Sequence, residues 1–91
     1  MNNMIPVNEA KNIGAVIAKA LNDIHVFTLK DLSMLTPAKA YVEICKNKNA
    51  KALPLCYYLY SLQGAVSHTD WRSLNKETKD RLKKEVAYLL K

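Results

Sequence analysis

The stretch from Leu53 to Val66 contains no charged residue, although 24% of the chain is charged. If the stretch is helical, apolar residues fall on nearly every face, which favours burial on several sides over a single apolar stripe. The stretch is too short, and with Pro54 and Gln63 too polar, to cross a bilayer. We therefore predict that Leu53–Val66 is the central, buried helix of a globular core, and we expect no membrane partner.

The length of 91 residues predicts one domain, residues 1–91. A domain of this size buries only roughly 60–65% of its unfolded surface, which leaves little room for an enclosed active site. The chain is 49% hydrophobic, has two glycines and three prolines, and shows no two-residue alternation typical of strands. These features predict an all-α fold, a compact bundle of about five helices, with residues 1–7 as a loose arm.

Capping patterns and apolar periodicity predict the other helices. One helix is expected over Ala15–Asn22, with Val16 or Ile17, Ala20, Leu21 and Ile24 facing inward. Thr28-x-x-Asp31 predicts the start of a short helix that ends near Leu35, because a hydroxyl caps the first turn and an acid lies within it.

Thr36-Pro37 predicts a third helix, to about Lys46, because a capping hydroxyl precedes proline at the first helical position. Its expected buried residues are Ala40, Tyr41, Ile44 and Cys45. Asn75 predicts the cap of a last helix, Lys76 to Leu90. Its expected inner face is Leu82, Val86 and Leu89, and Trp71 with Leu74 is expected to fold back onto the core.

The net charge of +6 and a pI near 9.4 favour an anionic partner such as nucleic acid, an acidic protein or an anionic membrane surface. Lys46, Lys48 and Lys51 form a basic cluster without acids in a predicted loop. On the last helix, by contrast, Glu77–Arg81 and Asp80–Lys84 are expected to pair within the helix, which favours a solvated outer face for its basic stripe of Arg81, Lys84, Tyr88 and Lys91.

The candidate binding site with the clearest physical basis is Asn12-Ile13-Gly14, at the start of the first helix. Glycine at this place leaves backbone N–H groups accessible to an anion such as a DNA phosphate. Lys11 and Lys19 are placed to flank it. The alternative is that Gly14 only permits a tight turn or close helix packing.

No pattern in the sequence predicts catalysis or a cofactor. Cys45 and Cys56 lie in apolar surroundings without metal-ligand spacing, so both are expected to be buried free thiols rather than part of a disulfide or metal site. Two histidines, His25 and His68, do not make a His-rich metal site. Ser67, His68 and Asp70 are neighbours on a turn and are not expected to converge as a triad.

The motifs taken in series resemble a known family, the C-terminal domain of the TfoX/Sxy competence regulators. They are Asn12-Ile-Gly14, Ala18-x-x-Leu21, Thr28-x-x-Asp31-Leu32, Ala40-Tyr41, Leu59-Tyr-Ser-Leu-Gln-Gly-Ala-Val66 and Trp71-x-x-Leu74. The resemblance covers Asn12 to about Leu82 in order, with similar spacing throughout.

This resemblance implies a helix-hairpin-helix-like or SAM-domain-like fold and a link to transcriptional control of DNA uptake, or transformation, in bacteria. It also implies a left-handed backbone at His25, where the family often has glycine. The N-terminus has neither a basic start nor an apolar run, so we expect a cytoplasmic protein. Competence regulators of the family usually carry another domain in front of this one, so the resemblance implies a stand-alone protein of the C-terminal type.

Two hypotheses follow for function. In the first, a non-catalytic protein contacts the DNA backbone weakly and without sequence preference through the turn at Gly14, or binds a transcription-related protein that contacts DNA. In the second, the chain is a protein–protein adaptor or a homodimerising module without nucleic-acid contact, whose tyrosines and Trp71 form the partner surface. Either a monomer or a homodimer is compatible with the sequence.

Overall fold

Five α-helices joined by short loops form the described part of the chain. The structure is a computed structural model and describes residues 5–50 and 53–90. The helices are α1 (Ala15–Asp23), α2 (Leu29–Leu35), α3 (Pro37–Asn47), α4 (Leu59–Ser67) and α5 (Lys76–Leu89), with short 3-10 helices at Val7–Glu9 and Trp71–Ser73. No strand forms within those residues, apart from an isolated bridge between Pro6 and Thr28. The predicted all-α bundle of five helices is confirmed.

The predicted capping residues do begin their helices. The Thr28 hydroxyl accepts from the Asp31 N–H at 3.2 Å, and the Asp31 carboxylate accepts in turn from the Thr28 N–H at 3.2 Å. The Thr36 hydroxyl accepts from the N–H of Lys39 at 3.4 Å, ahead of Pro37. At α5, the side chain of Asn75 accepts from the third N–H at 2.8 Å. Local sequence therefore sets three of the five helix starts.

The core is assembled around α3, which packs against each of the four other helices. Helix α4 packs against α3, the 3-10 helix at Trp71–Ser73 and α2, so it is buried as predicted, but the central helix is α3 and not α4. Every helix contributes fully buried side chains, namely Ile17, Leu21, Leu29, Leu32, Ile44, Leu59, Leu62 and Leu82. Ala40, Tyr41 and Cys45 are buried as predicted, and Trp71 and Leu74 pack partly buried against the core.

The predicted helix over Leu53–Val66 is also too long, because α4 begins only at Leu59. The Tyr41 hydroxyl donates to the Leu53 carbonyl at 2.5 Å and accepts from the Leu53 N–H at 3.0 Å. Both backbone groups of Leu53 are therefore unavailable to a helix. Residues 55–58 form turns, and Cys56 is exposed rather than buried.

The predicted loose arm over residues 1–7 is wrong for the part that the structure describes; residues 1–4 lie outside it. The Val7 N–H donates to the Phe27 carbonyl at 3.0 Å, and the Leu29 N–H donates to the Ile5 carbonyl at 2.8 Å. Val7 is 1% exposed. Residues 5–7 are thus tied to the segment that precedes α2, by bonds between residues far apart in sequence.

Two predicted helix faces need correction. On α1, Ile17 is buried while Val16 is 53% exposed, which decides the alternative left open by periodicity. On α5, Leu82 and Val86 are buried, but Leu89 is 36% exposed because it lies in the last turn, beyond the part of the helix that packs on the core.

The ion pairs of α5 also differ from those predicted. The structure pairs Lys76 with Asp80 at 2.9 Å and Arg81 with Glu85 at 3.1 Å. Glu77–Arg81 and Asp80–Lys84 have the same four-residue spacing. Each charged side chain therefore has competing neighbours, and sequence spacing alone does not choose between them.

Candidate nucleic-acid interface

The start of α1 presents backbone N–H groups that no side chain caps. Gly14 is the N-cap residue, and the first helical bond runs from the Ala18 N–H to the Gly14 carbonyl at 2.9 Å. The N–H groups of residues 15–17 precede that bond, and the first turn contains no acidic residue. A helix start of this kind carries partial positive charge and attracts anions.

Glycine at position 14 is not required by backbone geometry or packing. Its φ of −90° and ψ of −177° are extended values that any residue adopts. A Cβ added to Gly14 would meet nothing within 4 Å. A tight turn or close helix packing, the alternative considered for Gly14, therefore does not explain this residue. The practical consequence of glycine here is open access to the first turn of α1.

The left-handed residue of this turn is Asn12, with a φ of 72°. Its side-chain amide donates to the Thr69 carbonyl at 2.7 Å, and its side-chain oxygen accepts from the Trp71 N–H at 3.3 Å. Asparagine tolerates the left-handed conformation better than most residues. Asn12 therefore fastens the start of α1 to the loop after α4, and its side chain is already engaged in that contact.

Gly64 makes room for the Asn12 side chain. A Cβ on Gly64 would lie 2.5 Å from the Asn12 side-chain nitrogen, 2.6 Å from the Thr69 carbonyl oxygen and 3.2 Å from the Trp71 nitrogen. Such short distances exclude any larger residue without a shift of the backbone. The groups that approach Gly64 are therefore a side chain and a loop, and not a neighbouring helix.

The other residues predicted for this site have different surroundings. Ile13 is 8% exposed, and its N–H donates to the Ala10 carbonyl at 3.2 Å, so it belongs to the core. Lys11 is exposed beside the turn. Lys19 lies further along α1 and pairs with Asp23 at 3.5 Å, with its side chain 79% exposed. Lys11 and residues 14–16 are the parts of the predicted site that are exposed.

Asp70 and Arg72 lie next to this turn, and sequence reasoning did not associate them with it. The Arg72 guanidinium donates to both carboxylate oxygens of Asp70, at 3.0 and 2.8 Å. These bonds, the Arg72 N–H and the charge of Lys11 hold the pKa of Asp70 well below its ordinary value. The Asn12 contacts to residues 69 and 71 bring this loop to α1.

The secondary basic cluster belongs to another part of the fold. Lys46 and Lys48 are exposed at the C-terminal end of α3. Positive charge there interacts favourably with the negative end of the helix dipole. Lys51 lies outside the described residues. In the described part of the chain, no hydrogen bond or ion pair joins this cluster to the start of α1.

The Ser67, His68 and Asp70 side chains make separate contacts. The Ser67 hydroxyl accepts from the Gln63 side-chain amide at 2.7 Å. His68 ends α4 with a φ of 56°, and Asp70 is held by Arg72. No hydrogen bond connects these three residues as a nucleophile, a base and its orienting acid.

Two other predictions concern the thiols and the remaining histidine. Cys45 is buried and Cys56 exposed, and both are free thiols. His25 has the left-handed φ of 66° that the family resemblance implies. Over residues 5–50 and 53–90, no group of three or more His, Cys, Asp or Glu side chains is placed to hold a metal ion.

No helix in the described ranges is both long and apolar enough to span a bilayer.

Comparison with known proteins gives one family and one similar solved structure. The model of the TfoX C-terminal domain matches residues 3–86. A crystal structure of an uncharacterized protein from Listeria monocytogenes is 28% identical, with a TM-score of 0.78, and the match covers 92% of each chain. No protein with a curated functional description matches. Because the family model spans nearly the whole sequence, this chain belongs to the TfoX C-terminal domain family and is a competence-regulator-like domain.

Proposed function

We propose that this protein is a non-catalytic binding domain that contacts the DNA backbone through the start of α1. The observation that carries the proposal is the uncapped first turn after Gly14, a residue that neither packing nor backbone geometry requires to be glycine. Amides at a helix start bind phosphate oxygens without reading base sequence. The expected binding is therefore weak and independent of sequence.

Charge supports a polyanionic partner for this site. The net charge is +6, and Lys11 is exposed beside the amides. Asp70 lies close by, but Arg72 neutralises it. When a DNA phosphate approaches, Arg72 is in place to share its guanidinium between Asp70 and the phosphate. Membership of a competence-regulator-like family supports a cytoplasmic role near DNA.

Titration of labelled duplex DNA at low and moderate salt tests the proposal. Two to four phosphate contacts release counterions with a log–log salt slope of about −0.9 each, so the total slope should lie near −2 to −4. Folded protein that fails to bind duplex DNA at low salt would end the direct-contact hypothesis.

The variant Gly14→Val locates the contact. The added side chain covers the first-turn amides, and since a Cβ there meets nothing, little unfolding is expected. DNA affinity should fall by about threefold to tenfold, which corresponds to the net contribution of a single hydrogen bond, about 0.7–1.4 kcal/mol. Ala87→Val, on the exposed side of α5, is the matched control and should bind as the wild type does. Equal affinity of folded Gly14→Val and wild type would remove Gly14 from the site.

A specific observation favours the second hypothesis, a protein–protein module. Tyr88 is 71% exposed and Leu90 51% exposed at the end of α5. Exposed apolar groups of this kind mark partner surfaces when they are contiguous. Trp71, by contrast, is packed partly buried against the core and adds little to such a surface. This hypothesis predicts no salt-dependent DNA affinity, so the titration separates it from the first.

A further inference from the structure

The side of α5 that faces away from the core is shaped as a shallow groove. A hollow of about 690 Å³ runs along it. The described residues that line this hollow, here called the α5 outer face, are Glu77, Asp80, Arg81, Lys84, Glu85, Tyr88 and Leu89. Helix α5 packs on α3 through Leu82 and Val86, which leaves the outer face uncovered by the described part of the chain.

The α5 outer face has a charge pattern that differs from that of the whole protein. It carries three acidic residues and two basic residues, a net charge of 2 − 3 = −1, on a chain with a net charge of +6. Tyr88 adds an aromatic ring that is 71% exposed. A mixed, nearly neutral face does not attract a polyanion, but it suits a protein surface with a matching order of charges.

We infer that the α5 outer face docks a second copy of this chain, with the two α5 helices antiparallel about a twofold axis. The axis passes level with the peptide between Leu82 and Lys83. Helical spacing places Asp80 and Lys84 on one edge of the face and Arg81 and Glu85 on the other. A twofold axis brings like edges together, so each acid meets a base of the other copy.

The pairing is reciprocal on both edges. On one edge Asp80 comes within one residue of the level of the partner's Lys84, and on the other edge Arg81 comes within one residue of the level of the partner's Glu85. Each pair occurs twice because the interface is isologous. Glu77 comes level with the partner's Tyr88, whose ring is covered in the process. A register displaced by one helical turn loses these matches, so charge complementarity specifies both the occupant and its orientation.

The association should be weak and sensitive to salt. Exposed ion pairs contribute little each and are screened by counterions. The inference does not depend on the proposed DNA contact, because it uses α5 and not the start of α1. Sedimentation velocity from about 10 µM to about 1 mM protein should show a monomer–dimer equilibrium that shifts to monomer as salt rises. A monomer at every concentration in low salt would overturn the inference.

Two single variants test the orientation. In Arg81→Glu, acid faces acid across the twofold axis, and in Glu85→Arg, base faces base, so self-association of each should weaken about tenfold. Both variants also lose the ion pair between Arg81 and Glu85 within the helix. Helix content by circular dichroism establishes that each is folded. Lys30→Glu makes a basic-to-acidic change at an exposed residue of α2, which does not line the hollow, and should leave dimerisation within about twofold of wild type.

Mixing the two variants isolates the contact between copies. In a mixed dimer each acid meets a base on both chains, so an equimolar mixture should recover dimerisation, although neither chain regains its own internal pair. Absence of recovery, or an equal loss in Lys30→Glu, would overturn the antiparallel α5 interface. Unchanged dimerisation of both single variants would overturn it as well.

Discussion

The side chain of Asn12 occupies the space that a Cβ on Gly64 would need, with its amide nitrogen 2.5 Å from that position. Asn12 uses this space to reach the backbone of Thr69 and Trp71. The glycine in α4 and the asparagine before α1 therefore form one structural unit. This unit holds the loop after α4 against the turn that exposes the start of α1.

Replacement of Gly64 by alanine should destabilise the protein. The added methyl must displace the Asn12 amide and the Thr69 carbonyl, which overpacks a site built at close distance. We expect a loss of about 1–3 kcal/mol in the free energy of unfolding, measured by urea denaturation. Gly14→Ala is the matched control, and it should lose only about 0.5 kcal/mol because alanine is a poorer N-cap than glycine. Equal, small losses in both would contradict the Asn12–Gly64 relationship.

Acid should weaken the start of α2. The N–H of Phe27, and then that of Thr28, lower the pKa of Asp31 below its ordinary value of 3.8. A lowered pKa in the folded state stabilises the fold above pH 3.8, and this contribution is lost as the pH falls through the folded pKa. The slope of unfolding free energy against pH between about 5 and 2 should be shallower in Asp31→Asn. An unchanged slope would show that Asp31 does not contribute.

Loss of the Thr28 hydroxyl affects the same helix start without changing any charge. Thr28→Ala removes the bond to the Asp31 N–H and should lower the free energy of unfolding by about 1 kcal/mol. Its acid dependence should be slightly shallower than that of wild type, because the Thr28 side chain also lowers the pKa of Asp31, after the two backbone N–H groups. Thermal or urea denaturation at pH 7 measures the loss, and a variant as stable as wild type would count against the capping box.

Alkaline pH should weaken the contact between α3 and the segment before α4. Burial raises the pKa of Tyr41 above its ordinary value of 10.0, although the hydrogen bond that its oxygen accepts from the Leu53 N–H acts in the opposite direction. A raised pKa gives stability that is complete below pH 10 and is lost as the pH rises through the folded pKa. Tyr41→Phe should lose about 1–3 kcal/mol at pH 7, because both backbone groups of Leu53 lose a partner.

The same variant should lose less stability above pH 10 than wild type does. Tyr57→Phe, which changes an exposed ring, is the control and should keep both the stability and the alkaline loss of wild type. Denaturation midpoints between pH 8 and about 11 make the comparison. Parallel curves for Tyr41→Phe and wild type would contradict the role of Tyr41.

Features set by neighbouring residues were predictable from the sequence. The capping side chains of Thr28, Thr36 and Asn75 act within three residues, and the helices start where they predict. The absence of charge over Leu53–Val66 was misleading, because residues 53–57 are not buried and a lack of charge does not fix backbone conformation. The Tyr41 hydroxyl, twelve residues away, decides the conformation of Leu53.

Contacts between segments far apart in the chain could not be predicted from the sequence. Asn12 meets Thr69 and Trp71 across more than fifty residues, and nothing local marks such a contact. The same contact brings Asp70 and Arg72 beside Lys11, so these residues could not be assigned to the site beforehand. The sequence offers two signals of this contact. One is Asn12, a residue type that tolerates the left-handed conformation, directly before a helix, and the other is Gly64 inside a buried helix.

The central claim is that the start of α1 is an anion site, and Gly14→Asp tests it most directly. Aspartate is a better N-cap than glycine and fits the extended backbone at this position, so the free energy of unfolding should rise by a few tenths of a kcal/mol, about 0.3. The same carboxylate accepts hydrogen bonds from the first-turn N–H groups and repels phosphate. Affinity for duplex DNA at low salt should therefore fall about tenfold. A more stable protein with weaker DNA binding is the predicted result. A more stable variant that binds DNA as tightly as wild type would contradict the claim.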